Sequence, residues 1–429
     1  MKETIATNRK RILFLLFIGY ILASMDRFFI NYAILPIAQD LSLTATQTGF
    51  VLSAFFLGYG LMQMPGGFLA DKFGSRITLI CCIVSWSIFT GLSGLAWSLG
   101  SLLVIRFIFG LGEGSFIPAS AKMLSMSYPM ERRSRAMSLL LTAAAFAGVI
   151  TPIIATTFLQ TIGWRMLFYC FGLLGIVTGL LFYFFLKPKF IYVESGGQQA
   201  SVHEAADGLA KEKIPYSEIL KTPLLWSLFI ASFAVFAINW GTASWVPMYL
   251  VSVRGLDLTS LGLLQMIPAV SSIAFMIVAG YLVDKVFAGK EKLLGVICGI
   301  GLTVFVYLMF HAASVGLFVF YQSVLPIFTG TAIVLVTTLP IKVFSQQVSG
   351  SAVGVVQSGG QIAGFFAPLL IGYLVDWMDG AYSAAIWMLI GCGVVYAIMA
   401  LTISFKKGAL LTVNKRQEQA AEEPVVQTT

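Results

Sequence analysis

Charge is what this chain has least of. Asp, Glu, Lys and Arg together make up 11% of its 429 residues, against roughly 25% in a soluble protein. So few charges cannot cover a water-facing surface of this size, which argues against a soluble enzyme or a nucleic-acid-binding protein. Histidine is scarcer still: His203 and His311 are the only two, which removes histidine-built catalytic and zinc sites. The five cysteines (Cys81, Cys82, Cys170, Cys298 and Cys392) lie in apolar segments without metal or disulfide spacing. They read as small apolar core residues. With no nucleophile–base set, metal cluster or phosphate-binding loop, an enzyme is disfavoured and no cofactor is expected.

What the chain does have is apolar length. Hydrophobic residues account for 58% of it, and its mean hydropathy is +0.89. About 20 apolar residues make a membrane-crossing helix. Twelve such stretches lie near 12–37, 47–70, 76–97, 99–126, 135–160, 166–186, 223–251, 259–284, 293–312, 315–340, 347–375 and 381–405. The start, "MKETIATNRKRILFLLFIGY", has the basic-then-apolar order of a signal peptide, but the apolar run continues and no small-residue cleavage site ends it. It reads as a retained first crossing. The expected architecture is an all-α membrane protein. It has a six-helix bundle at 1–186, a cytoplasmic central loop at 187–222, a second six-helix bundle at 223–405 and a cytoplasmic tail at 406–429.

Lys and Arg set the orientation. With the N-terminus cytoplasmic, 22 of the 27 basic residues fall on that side. Arg165 and Arg254 fall outside, and Arg27, Arg106 and Lys122 lie within crossings. This asymmetry accounts for the net charge of +8 without any nucleic acid. It places both termini at the cytoplasmic face, the absence of a disulfide framework and the compact tails fit a plasma membrane, and Lys122 is expected to reach up to the headgroups.

The halves echo one another. "GGFLADKFGSR" (66–76) follows the second crossing and "AGYLVDKVFAG" (279–289) the eighth, so Gly67 matches Gly280, Asp71 matches Asp284 and Lys72 matches Lys285. "GVITP" (148–152) matches "GFFAP" (364–368). Parallel repeats of this kind place a substrate site near the midplane between two bundles.

Four charges sit where lipid should be. Asp26 and Arg27 lie side by side in "GYILASMDRFFINYAI", about 22 Å along the first helix. Arg106 and Glu113 lie seven residues apart in "RFIFGLGEGSFIPA" on the fourth crossing, on one helix face. Gly110 and Gly112 let neighbouring helices approach there. Each charge at a bilayer centre costs about 2.5–3.5 kcal/mol on insertion scales. A purely structural ion-pair lock is a poor reason for that cost, because packed apolar residues serve as well. A guanidinium presents a planar fork that fits an anion. A carboxylate removed from water takes up a proton more readily. Together they can exchange a proton for an incoming anion.

The loop "GGFLADKFGSR" resembles the loop 2–3 signature of the major facilitator superfamily, and the resemblance extends over nearly all of the chain. In that superfamily the loop holds the halves together in the outward-facing state, which implies a conformational latch at Gly67, Asp71, Lys72, Gly74 and Arg76. "DRFFIN" on the first crossing, the Arg–Glu spacing on the fourth, "YPMERRSRAMS" (128–138) and "GWRMLFYCFG" (163–172) resemble the anion:cation symporter family. That family includes bacterial hexonate and hexuronate transporters and animal sialin and vesicular glutamate transporters. The resemblance implies Asp26 and Glu113 as proton-coupling carboxylates and Arg27 and Arg106 as substrate-binding residues. It also implies a small organic anion, protons and the bilayer as partners; a monomer is expected.

Tyr59, Asn239 and Gln357 are further substrate-binding candidates. Gln357 stands where the family often has asparagine, and Ala144 where galactonate-type members carry glutamine. Both a sugar acid and a smaller carboxylate therefore stay open. Other polar residues expected near the cavity are Asn31, Tyr32, Gln63, Trp240, Trp245, Gln265, Tyr321 and Gln322. A proton-driven exporter of a drug or metabolite is the alternative. Exporters of this fold carry an adjacent glycine–proline pair on the fifth crossing, whereas Gly148 and Pro152 are four apart. A non-transporting sensor is disfavoured by the short central loop.

Overall fold

The computed structural model describes residues 2–186, 220–344 and 349–402, and these are helical with short turns. The first half runs α1 (Lys2–Asp40), α2 (Ala45–Phe73), α3 (Ser75–Ser93), α4 (Leu99–Gly114), α5 (Phe116–Ser127), α6 (Met130–Thr161) and α7 (Gly163–Phe185). The second runs α8 (Pro223–Ser252), α9 (Leu258–Tyr281), α10 (Glu291–Phe310), α11 (Val315–Val343), α12 (Ser349–Trp377) and α13 (Ser383–Thr402). The expected tail at 406–429, and the central loop at 187–222 apart from its last three residues, lie outside the described residues.

α4 and α5 form one crossing, broken at Ser115 between Gly112–Gly114 and Pro118. Pro118 has no N–H to give the preceding turn, and glycine holds a helix weakly, so the break falls where the two meet. The described helices therefore make twelve crossings. Eleven are long and apolar enough to span a membrane by length and composition alone. The other, α2, is 29 residues long, but glycine, glutamine and tyrosine on its inner face dilute its hydropathy. α9 continues into a short π-helical turn, Leu282–Val286, before the chain reverses. The corresponding reversal after α2 is made at Gly74, whose φ of +84° suits glycine.

The halves meet along α2–α12 and α6–α9, with α1 against α8. At the end away from the N-terminus they touch closely. A Cβ at Gly49 would lie 2.6 Å from the Pro368 carbonyl oxygen, and one at Gly372 would lie 2.3 Å from that of Ala45. The Asp376 carboxylate accepts hydrogen bonds from the backbone N–H groups of Ala45 (2.9 Å) and Thr46 (2.7 Å). At the N-terminal end α2 and α12 diverge around a crevice of about 1020 Å³, lined by Phe56, Gln63, Gln357, Gln361 and their neighbours.

Candidate functional site

The site begins with a close helix crossing. At Gly58 of α2 a Cβ would lie 2.1 Å from the Phe107 carbonyl oxygen, and at Gly110 of α4 it would lie 2.2 Å from that of Phe55. Only two glycines allow backbones so near. Gly112 faces the other way, where a Cβ would lie 3.0 Å from the Trp86 amide nitrogen of α3. α4 is therefore wedged between α2 and α3, and its charged face turns towards α1.

There Arg27 and Glu113 form an ion pair that joins α1 to α4. Arg27 also stands over the rings of Phe55 (5.2 Å) and Tyr59 (4.9 Å) of α2. The aromatic faces attract the cation and leave its outer edge free. Glu113 is 1% exposed against 13% for Arg27, so the acid lies behind the base. Asp26 turns the other way: its Oδ2 accepts a hydrogen bond of 3.1 Å from the Thr90 hydroxyl of α3. Its Oδ1 has no hydrogen-bond partner among the described residues.

Arg106 is 2% exposed, lies over Phe109 (5.3 Å) and Phe168 (5.0 Å), and makes no ion pair among the described residues. Its Nε and Nη2 have no hydrogen-bond partner among the described residues. Such donors carry a desolvation cost of about 1–3 kcal/mol, more for a charged group. A bound anion would relieve it.

Both guanidiniums line one cavity between the halves, and neither carboxylate does. Its walls are Arg27, Arg106, Asn31 and Ser244 with Phe55, Phe56, Trp240 and other apolar residues. At about 10 Å³ it has room for a single water. Phe56, packed 4.8 Å from the Trp240 ring, lines both this cavity and the crevice.

The other expected site residues are spread out. Tyr59 stands beneath Arg27. Asn239 is half-buried beside Trp240, outside the cavity lining. Gln357 and Gln63 line the crevice. Gln265 and Gln322 bond each other at 3.1 and 3.0 Å. The Trp245 indole donates to the Pro368 carbonyl at 3.0 Å. Tyr32 packs against the apolar core, and Tyr321 lies 6.2 Å from the Phe305 ring.

Of the residues expected to form a latch, Asp71 pairs with Lys122 at 2.8 Å, and Arg76 donates to the Tyr183 carbonyl at 2.8 Å. Lys72 lies 5.4 Å from the Phe73 ring, and Gly67 approaches Pro118. All of these contacts are inside the first half. Lys122 thus reaches a carboxylate and the Ala70 carbonyl instead of the headgroups expected from sequence, because the end of α2 is nearer. Thr90, Phe55 and Ser244 escaped the sequence reading. A threonine, a phenylalanine and a serine in apolar helices carry no signal until their neighbours are known.

A family model described as Major Facilitator Superfamily matches residues 16–368. The chain is 30% identical to a probable sulfoacetate transporter of Cupriavidus necator, over 98% of this chain and 99% of the relative. It is 28% identical to a hexuronate transporter of Bacillus subtilis (91% and 93%), and 27% to a probable L-galactonate transporter of Escherichia coli (93% and 90%). Among solved structures it is similar to a bacterial homologue of the lysosomal transporter Spinster, inward-facing and occupied. The TM-score there is 0.74 at 20% identity, over 92% of this chain and 95% of that one. It is also similar to the inward-open xylose transporter of Escherichia coli, with a TM-score of 0.73 at 17% identity, over 96% and 99%.

Proposed function

Since this chain belongs to the Major Facilitator Superfamily and its relatives carry organic anions, we propose that it is a proton-coupled importer of an organic acid. It works by alternating access in a plasma membrane, with both termini cytoplasmic. The observation that carries this reading is the split between bases and acids: Arg27 and Arg106 line the cavity, and Glu113 holds Arg27 from behind. While Glu113 is charged, the Arg27 fork is engaged. A proton on Glu113 releases it to receive a substrate carboxylate, beside an Arg106 that has no acid to displace. The crevice at the N-terminal end then corresponds to an inward-open state, with the Asp71 loop disengaged from the second half.

The relatives are named for a small sulfonated acid and for hexose-derived acids. Ala144, packed in the apolar cluster of the first half, and the wall of Phe55, Phe56 and Trp240 favour the smaller, less hydroxylated acid.

The test is uptake into proteoliposomes of a labelled panel comprising sulfoacetate, a hexuronate and a hexonate, with and without an inward proton gradient. At least one acid should accumulate only with the gradient. Glu113→Gln should abolish that accumulation and keep exchange of the same acid. Gradient-independent uptake, or wild-type accumulation by Glu113→Gln, overturns the coupling.

A further inference from the structure

Serine and threonine hydroxyls inside these helices mostly satisfy themselves locally. Thr151, Thr178, Thr242, Thr303 and Thr331 each donate to the carbonyl four residues back. So do Ser87 and Ser93, on either side of Thr90 in α3. This is the ordinary fate of a hydroxyl in an apolar helix. Thr90 is different. Its hydroxyl leaves the backbone of α3 and bonds Asp26 Oδ2 on α1. Both residues are buried, Thr90 to 1% and Asp26 to 2% exposure, and this is the sole hydrogen bond to the Asp26 carboxyl among the described residues. Glu113 is committed to Arg27, and Arg106 makes no ion pair among the described residues.

We infer that Thr90 is a positioning residue for proton handling at Asp26, serving that carboxyl in both of its protonation states. The argument is the donor–acceptor inventory of the groups. A charged carboxylate only accepts, whereas a carboxylic acid must also donate. A hydroxyl does both, by rotating its hydrogen. At one fixed spacing Thr90 donates to the carboxylate, and after a proton arrives it accepts from the acid O–H. No helix has to move and no water has to enter. A lysine, arginine or tryptophan there could not accept from the acid O–H.

The charged groups acting on Asp26 are Glu113 and Arg106 from α4, and α3 contributes Thr90; Arg27, next to it on α1, is paired with Glu113. Asp26 is outside the cavity lining, so its proton is held apart from the substrate, unlike that of Glu113. This assignment rests on the proton-coupled reading above, and it gives that reading a second, substrate-remote proton position.

The experiment compares Thr90→Val, which keeps the shape and removes the hydroxyl, with Thr90→Ser, which keeps the hydroxyl. Gradient-driven uptake of the acid identified by the panel is measured as a function of pH, with exchange at fixed pH as the control for folding and binding. Thr90→Val should move the pH midpoint by about one unit to the alkaline side, because both protonation states lose a hydrogen bond and the one to the charged carboxylate is the stronger. It should cut accumulation about tenfold at the wild-type optimum and leave exchange within twofold. Thr90→Ser should track the wild type. In an Asp26→Asn background Thr90→Val should add nothing.

A direct readout comes from infrared difference spectra of purified protein, in which the carboxylic-acid C=O band lost in Asp26→Asn should shift in Thr90→Val and be restored in Thr90→Ser. That band does not depend on transport. If it behaves as stated while uptake ignores the gradient, the coupling reading fails and the Thr90–Asp26 link survives. An unmoved band with a wild-type pH profile in Thr90→Val overturns the link. Equal loss of exchange and accumulation, undiminished in Asp26→Asn, makes Thr90 structural and overturns it as well.

Discussion

The two halves repeat each other in their contacts and differ in their charges. Gly49 of α2 lies against the Pro368 carbonyl of α12, and Gly262 of α9 against Thr156 and the Pro152 carbonyl of α6. Gly49 and Gly262 are 213 residues apart, the offset of Asp71 and Asp284; Pro152 and Pro368 are 216 apart. Adding 213 to Thr46 and subtracting 216 from Asp376 turns the Asp376 clasp on Ala45 and Thr46 into the hydrogen-bonded pair of Gln160 and Thr259. Even the ion pair Asp71–Lys122 has a counterpart, Asp284–Lys342, at 3.8 Å. Yet inside the membrane the first half buries Asp26, Arg27, Arg106 and Glu113, and the second buries the amide pair Gln265–Gln322. Its charged residues sit at helix ends. On the function proposed above, one scaffold serves two tasks: the first half carries the groups to exchange protons and hold an anion, while the second supplies a neutral partner surface to close on.

The sharpest test of that division is stability. Glu113→Ala leaves Arg27 as an uncompensated buried cation and should cost about 3–5 kcal/mol. Gln265→Leu leaves one unpaired neutral amide and should cost about 1–3 kcal/mol. Adding Gln322→Leu to the latter should recover most of the loss, since two apolar partners need no hydrogen bond. Thermal unfolding in detergent, read as relative midpoints, ranks the three. Equal losses for Glu113→Ala and Gln265→Leu would mean that the halves do not differ in what they hold.

Much of this arrangement was legible in the sequence. The crossings followed from apolar length, the repeat from the two Gly–Asp–Lys loops, and the four buried charges from their cost in lipid. Partners were not legible, because they are set by the rotation and approach of separate helices. Asp26 and Arg27 are neighbours in the chain, but a helix turns about 100° between them, so one meets Thr90 of α3 and the other Glu113 of α4. The glycine contact of Gly58 and Gly110 fixes that register, and no single segment encodes it. Lys122 shows the same limit: its length suggested headgroups, and the end of another helix supplied an acid.

Asp376 is the next place to break the comparison. It is an exposed acid at a helix end, with nothing in its own segment to mark it, and it holds the halves together by charge where Gln160 does so by a neutral amide. Solvent screening reduces such contacts to about 1 kcal/mol, a population factor of about five. Asp376→Ala should therefore raise the open fraction at this end about fivefold, read by maleimide labelling of a cysteine placed at Val51. Gln160→Ala should change it less. A larger effect from Gln160→Ala would reverse the assignment.

The smallest expected effect concerns the starts of α2 and α9. Thr44 and Asp257 are again 213 residues apart, and each caps its helix: the Thr44 hydroxyl accepts from the Gln47 amide at 3.3 Å, and the Asp257 carboxylate from the Ser260 amide at 3.0 Å. Each helix start thus receives one carboxylate, α9 from its own cap and α2 from Asp376 across the interface, which suits the positive end of a helix dipole. Hydrogen bonds from Ser260 hold the Asp257 carboxyl below its usual value. A lowered carboxyl stabilises the fold above its unfolded value of about 3.9, and that contribution is lost as pH falls through the folded value. Amide-exchange protection at Ser260, corrected for intrinsic rate, should therefore be flat from neutral pH to about 4 and fall below it, while protection at Gln47 stays level. Asp257→Ser should remove the acid dependence and keep the cap. If Ser260 and Gln47 lose protection together on acidification, the two starts answer to the interface between the halves and not to their own caps.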